Sequence, residues 1–104
     1  MTLPESHFVV ISAAGARRDL TIGTRDQAYW DEHAAYIDAL VESGFIVLGG
    51  PFSDEGGAMI VVRAESEAEV RERLATDPWY VNQILRLDGI HRWEIFIQEL
   101  APRS

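Results

Sequence analysis

Runs of apolar residues alternate with polar segments along the chain, and four of the runs have the length of β-strands. Three of them are continuous runs rich in Val, Ile and Phe, bounded by glycine, proline or polar residues. In the fourth run, apolar and polar residues alternate, as they do in a strand with one buried and one exposed face. The pattern therefore predicts strands over residues 7–13, 45–50, 58–64 and 89–100.

The segment between the first two predicted strands carries the signals of a helix start and a helix end. Thr24 and Gln27 have the spacing of a capping box, in which two side chains bond the free backbone amides of the first turn. Trp30 and Ile37 then recur at helical spacing, and Gly44 is typical of the residue that follows a helix. We predict a polar loop over residues 14–23 and a helix that starts at Thr24.

Two more helices are predicted between the third and the fourth strand. Ser66 and Glu69 have the spacing of a second capping box, which opens a helix that reaches about Ala75. Asp77 followed by Pro78 is the combination of an N-cap residue and a first helical residue. It predicts a short helix with the sequence PWYVNQIL.

This order of elements, βαββαβ, is typical of the ferredoxin-like α+β fold, with a four-stranded antiparallel sheet and both main helices on one face. The first three strands are apolar on both faces, as strands covered on both sides are. Two helices cover only one face of the sheet. We therefore predict a homodimer in which two sheets pack face to face about a two-fold axis.

Composition and charge exclude several classes of function. The chain has 104 residues, which is the size of one domain, and a net charge of −8, which argues against nucleic-acid binding. All of its basic residues are arginine, so no lysine is present to form a Schiff base. No apolar run is long enough to span a membrane, and no cysteine is present, so we expect a cytoplasmic protein.

The predicted topology brings several chemically active side chains to one end of the sheet. His33, in the first helix, shares that end with Asp77, and a carboxylate bonded to one imidazole nitrogen makes the other a better base. Each residue also has a purely structural interpretation: His33 borders an apolar helix face, and Asp77 caps a helix. Gly50 and Pro51 at the end of the second strand are candidates for the wall of a pocket.

Four further residues at this end are candidates for contacts with a substrate. Arg17 and Arg18 lie in the only basic cluster of an acidic chain, which suits either an anionic substrate or a solvated loop. Trp79 suits the wall of an apolar cavity or the core, and His91 suits either the site or a solvent-facing rim. The histidines lack the spacing of metal ligands, so no metal site and no cofactor are predicted.

The chain resembles the YCII-related family over roughly residues 7–97, because it contains four motifs of that family in the same order along the sequence. They are H-x₆-L from His33, the run GFIVLGGP, a glycine-rich hairpin before the third strand, and TDPWY around Asp77. The resemblance implies a dimeric α+β barrel in which His33 and Asp77 form the catalytic pair. Two features depart from the family: the loop from Ala14 to Arg25 is long, and His91 and Arg92 stand before Trp93, where the family often carries a lysine-proline pair.

The sequence therefore leads to one hypothesis and two alternatives. The hypothesis is a cofactor-free enzyme that transfers a proton on a small organic molecule, as an isomerase or a lyase, with His33 as general base. The first alternative is a non-catalytic barrel that binds a small molecule or a partner protein. The second is a cofactor-free monooxygenase.

Overall fold

The computed structural model describes residues 6–53 and 56–97. Every element predicted from the sequence is present, with a short 3₁₀ turn over Thr24–Asp26 in the loop before the first helix. In chain order the strands and helices are β1 (Ser6–Ala14), α1 (Trp30–Glu42), β2 (Ile46–Pro51), β3 (Ala58–Ala64), α2 (Glu67–Leu74), α3 (Pro78–Val81) and β4 (Leu85–Trp93). Within the described residues, no helix combines the length and the hydropathy that a bilayer crossing requires.

The strands form one antiparallel sheet in the order β2-β3-β1-β4, which confirms the predicted ferredoxin-like α+β fold. Both long helices pack on the same face of the sheet. Ile37 and Leu40 of α1 contact the same buried cluster to which Val70 and Leu74 of α2 belong. The fully buried members of that cluster are Phe8, Val10, Phe45, Ile46, Val62, Ala64, Val70 and Leu74.

The start of α1 differs from the prediction. The helix begins at Trp30, and the residue before it, Tyr29, has a left-handed backbone (φ 63°) and no side-chain cap. The capping box expected at Thr24 and Gln27 is absent, because the side chain of Gln27 is buried and is used elsewhere. It accepts a hydrogen bond from the Asp19 amide (3.0 Å) and donates one to the Asp19 carbonyl (2.7 Å). The polar spacing therefore marks a loop anchor and not a helix start.

The last strand also differs, since β4 occupies residues 85–93 and not 89–100. It pairs with residues 7–14 of β1, and its last residue, Trp93, lies opposite His7, so the end of β4 is set by where β1 begins. Residues 94–97 lie outside the sheet, and the predicted part at 98–100 is outside the described residues.

The short helix α3 ends at Val81, so the predicted stretch PWYVNQIL contains only one helical turn. Ile84 and Leu85 leave the helix and are buried next to Trp79 in a second, smaller core cluster. The turn between them passes through Gln83, which has a positive φ of 63°. Burial of these two apolar side chains decides where the helix stops and where β4 starts.

Candidate active site

His33 and Asp77, the two residues singled out from the sequence, are in contact. His33 lies in the first turns of α1, and Asp77 is the N-cap residue of α3. The Nδ1 atom of His33 is 2.9 Å from Oδ1 and 3.1 Å from Oδ2 of Asp77. The imidazole is 12% exposed and the carboxyl group 2%, so the pair is largely shielded from water.

The carboxylate of Asp77 is held in place by the start of α3. Its Oδ1 atom accepts a hydrogen bond from the amide of Trp79 (2.9 Å), which is the bond of an N-cap residue. The backbone amide of Asp77 donates a hydrogen bond to the Leu74 carbonyl at the end of α2 (3.0 Å). The structural and the chemical interpretations of Asp77 are therefore both satisfied by one side chain. Its cap bond fixes the orientation of the oxygen that contacts the imidazole.

Trp79 fixes the plane of the imidazole. The two rings are stacked, with 3.8 Å between their centroids and an angle of 5° between their planes. The indole Nε1 of Trp79 donates a hydrogen bond to the Ala28 carbonyl (2.8 Å), just before α1 begins. Trp30 packs at an angle against both rings, with centroid distances of 5.9 Å to His33 and 5.7 Å to Trp79. The imidazole therefore has little freedom to rotate.

This geometry assigns the tautomer of a neutral His33. A carboxylate only accepts hydrogen bonds, so the proton is on Nδ1 and the lone pair is on Nε2. Among the described residues, Nε2 has no hydrogen-bond partner. The imidazole thus offers a free basic nitrogen, and the positive charge that protonation would create is matched by the carboxylate of Asp77.

His33 and Asp77 line a cavity of about 730 Å³, which lies on the helix-bearing side of the sheet. This is within the range of roughly 300–1,000 Å³ that small-molecule sites occupy. Most of the wall is apolar, from Val10 and Ile60 of the sheet and Ile37 of α1. Trp79, Gly50 and Pro51, three of the candidates for substrate contacts, also line this cavity.

A close approach of two strands shapes one wall of the cavity. A Cβ atom on Gly49 would lie 2.5 Å from Cγ2 of Ile60 and 2.8 Å from the Met59 carbonyl oxygen. Only glycine lets β2 lie this close to β3. A Cβ atom on Gly50 meets nothing within 4 Å, so that position is open. The close approach is therefore at Gly49, and Gly50 and Pro51, the next residues of β2, line the cavity.

A pair of hydroxyl groups in the same cavity was not predicted as a site. Ser12 of β1 is 6% exposed and is hydrogen-bonded to the hydroxyl of Tyr80 in α3. Burial raises the pKa of Tyr80; the bond from Ser12 acts against this shift, and the charge of Asp77 adds to it. The sequence did contain a signal, because Ser12 continues the series Phe8 and Val10 that alternates toward the core.

The two loop arginines have different surroundings. The guanidinium of Arg18 lies 5.8 Å from the ring centroid of Trp79, and its Nη2 donates to the hydroxyl of Thr24 (3.2 Å). Partial burial lowers the pKa of Arg18. Arg18 thus packs on the outside of the stacked rings, and Arg17 is exposed; neither of them lines the cavity.

The structure does not bring His91 to the site. His91 is exposed and lies opposite Val9 in the sheet, and Val9 alternates away from the buried Phe8 and Val10. Its side chain is therefore on the face of the sheet without helices, while the cavity is on the other face. Among the described residues, no group of three or more His, Cys, Asp or Glu side chains is arranged to hold a metal ion.

Comparisons with known proteins agree with the fold. The profile of the YCII-related domain family matches residues 8–94. A solved structure that is similar to this chain is 5-chloro-2-hydroxyhydroquinone dehydrochlorinase from Burkholderia phenoliruptrix, in complex with 2,5-dihydroxybenzoquinone. The TM-score is 0.65 and the sequence identity 23%, over 84% of this chain and 93% of the other. A search of curated proteins finds no match.

Proposed function

The chain belongs to the YCII-related family, and from this premise we propose that it is a cofactor-free enzyme that moves a proton on a small organic molecule. His33 is the general base in this proposal, and Asp77 orients and stabilises its imidazole. The reaction is of the isomerase or lyase type. In an isomerisation the proton returns to another atom of the substrate; in a lyase reaction a leaving group departs.

The observation that carries the proposal is the free Nε2 atom of His33 in the wall of a cavity, with a carboxylate on Nδ1. A base of this kind takes the proton on Nε2, and the imidazolium that forms is stabilised by Asp77. A positioned general base typically contributes about 10²–10⁴ to the rate. A general base must also be held in a fixed orientation toward the substrate. Stacking on Trp79 fixes the plane of the imidazole and therefore the direction of Nε2.

The ligand we propose is a ring compound with oxygen substituents. The similar structure is that of a dehydrochlorinase that holds a dihydroxybenzoquinone, and the cavity of this chain has an apolar wall that includes Trp79. In a dehydrochlorination, the base removes a proton from the substrate, and the electron pair of the broken bond to hydrogen forms a new double bond. Chloride leaves with the electron pair of the C–Cl bond. This step needs no oxidant and no cofactor.

The test is turnover of a panel of chlorinated and unchlorinated hydroxyhydroquinones, followed by chloride release and by absorbance. We expect His33→Gln to lower kcat by about 10²–10⁴, and Asp77→Asn to lower it less, because the imidazole remains. His7→Gln is the matched control, since His7 is at the other end of β1, on the face without helices. Full activity of His33→Gln would exclude the general-base role.

The same panel separates the alternatives. Ligands that bind but are not turned over would favour the non-catalytic barrel. Oxygen uptake during turnover would favour a monooxygenase, because proton transfer consumes no oxygen. The predicted cytoplasmic location stays a prediction.

We also propose that the chain forms a homodimer through the face of the sheet without helices. The register places Val9, Ile11 and Met59 on that face, where they are only half buried, and Trp93 is 44% exposed there. A second sheet packed on these side chains would remove them from water. We expect the mass of a dimer in light scattering at micromolar concentration and a monomer for Val9→Glu. A wild-type monomer at that concentration would contradict the proposal.

A further inference from the structure

The hydroxyl pair of Ser12 and Tyr80 has hydrogen-bonding capacity to spare. Two hydroxyl groups carry two hydrogen atoms, and the bond between them uses one. Among the described residues neither hydroxyl has another partner, so one O–H remains free to donate. Both residues line the same cavity as His33. A free donor in a mostly apolar wall is costly unless something in the cavity accepts from it.

The donor keeps its proton at neutral pH. Burial raises the pKa of Tyr80 above its ordinary value of 10.0, and the nearby carboxylate of Asp77 acts in the same direction. The hydroxyl pair is therefore uncharged at neutral pH. It remains a hydrogen-bond donor while His33 remains an acceptor.

The cavity thus has two inward polar points of opposite character. Nε2 of His33 accepts a proton or a hydrogen bond, and the hydroxyl pair donates one. Apart from Asp77, which is bonded to His33, the charged residues of the lining are Arg25 and Asp26, which are exposed and lie in the loop at its border. The rest of the wall between the two points is largely apolar, with Val10 and Ile60 beside Ser12. An apolar ring with one oxygen at each point fits this distribution.

We propose that the Ser12–Tyr80 pair is a ligand-binding point that donates a hydrogen bond to a second oxygen of the substrate, so that the site selects ring compounds with two oxygen substituents. The inference rests on the proposed function, since it names the substrate class of the same cavity. During proton abstraction by His33, negative charge that moves onto this second oxygen is stabilised by the hydroxyl donor. In this proposal the Ser12 hydroxyl donates to Tyr80, so that the free hydrogen is on Tyr80; Tyr80 contacts the substrate, and Ser12 is a positioning residue that holds the Tyr80 hydroxyl.

The test is a binding cycle that requires no turnover. Isothermal titration calorimetry compares phenol, which has one oxygen, with catechol, resorcinol and hydroquinone, which place the second oxygen at three different distances. We expect at least one dihydroxybenzene to bind wild-type protein about fivefold to tenfold more tightly than phenol. In Tyr80→Phe this gain, the ratio between the affinity for that dihydroxybenzene and the affinity for phenol, should fall to less than about twofold.

Ser12→Ala tests the positioning role and should reduce the same gain by a smaller factor, because the Tyr80 hydroxyl remains but loses its partner. Equal weakening of phenol and of the dihydroxybenzenes in Tyr80→Phe would overturn the proposal, since that is the signature of a merely structural side chain. A gain that survives in both variants, or no binding by any of the four ligands, would overturn it as well. Because only affinity is measured, the result is independent of whether His33 is the base.

Discussion

The two long helices of this chain begin in different ways. The start of α2 is built from its own sequence: Ser66 accepts a hydrogen bond from the Glu69 amide (3.2 Å), and the Glu69 carboxylate accepts one from the Glu65 amide (2.9 Å). The start of α1 has no side-chain cap and follows Tyr29 in a left-handed conformation. It is held instead by a contact from a distant residue, the bond from Trp79 to the Ala28 carbonyl.

The difference follows from what each helix positions. Helix α2 covers the sheet with Val70 and Leu74, and a locally encoded start is sufficient for that purpose. Helix α1 carries His33, and its first turn must meet both Asp77 and Trp79. A left-handed residue costs about 1–3 kcal/mol, and it persists only where the surroundings impose it. We infer that contacts with Asp77 and Trp79 determine where α1 starts, while the capping residues of α2 itself determine where α2 starts.

Of the variants that test this difference between the two helix starts, Gln27→Ala is expected to cause the largest loss of stability. The Gln27 side chain is 4% exposed and bonds both the amide and the carbonyl of Asp19, so its loss removes two hydrogen bonds that anchor the loop and leaves a buried space unfilled. We expect a loss of about 2–3 kcal/mol in the free energy of unfolding, measured with urea. Gln27→Glu keeps the acceptor and loses the amide donor, so it should also destabilise. If the free energies of unfolding of both variants were within about 0.5 kcal/mol of the wild-type value, Gln27 would not be an anchor of the loop.

Trp79→Phe should have the next largest effect and should act on the site as well as on stability. Phenylalanine keeps an aromatic ring against His33 but lacks the donor to Ala28, and we expect a loss of about 2 kcal/mol. Trp30→Phe is the matched control, because no hydrogen bond of the Trp30 indole is found within the described residues. The ¹⁵N spectrum of His33 reports its tautomer. It should change in Trp79→Phe and not in Trp30→Phe; equal spectra would mean that Trp79 does not hold α1.

Ser66→Ala is expected to cost about 1 kcal/mol, the usual cost of losing an N-cap. The effect should be confined to α2, because the hydrogen bonds of Ser66 to the other described residues all lie within the start of that helix. Binding of phenols and the spectrum of His33 should remain those of wild type. Ser66→Asp restores an acceptor and should recover most of the stability. A change at His33 in Ser66→Ala would show that the two helix starts are coupled.

The same contrast explains which parts of the fold the sequence predicted. The strands, α2 and the capping role of Asp77 depend on local patterns, and all of them are present. The start of α1 was wrong because Gln27 has the spacing of a capping residue, while its amide is taken by a loop folded back on it. The end of β4 was wrong because it depends on where β1 begins, which is a property of strand pairing.

The sequence also predicted some residues of the candidate site and not others. His33 and Asp77 were brought to one end by topology alone, and their contact agrees with it. The Ser12–Tyr80 pair was missed, because alternation places Ser12 toward the core but no local pattern indicates its partner Tyr80, which is 68 residues further along the chain. The predicted last strand starts at residue 89, which would put His91 at the site end; β4 instead starts at Leu85, so His91 lies opposite Val9, toward the other end of the sheet and on the face away from the cavity. The face depends on register, and the bulge after Ile11 shifts the register of this strand pair.

The smallest effect is expected from the charge of Asp19, in the loop before α1. Hydrogen bonds from the hydroxyl and the amide of Thr21 lower the pKa of Asp19 below its ordinary value of 3.8. A carboxyl group with a lowered folded-state pKa stabilises the fold above its unfolded pKa, and this contribution disappears as the pH falls through the folded pKa. Asp19→Asn should therefore be less stable than wild type at neutral pH, and the difference should shrink below about pH 4 in urea unfolding. Thr21→Val, which lacks the hydroxyl donor, should reduce the same difference. A difference that is independent of pH would assign the role of Asp19 to its shape and not to its charge.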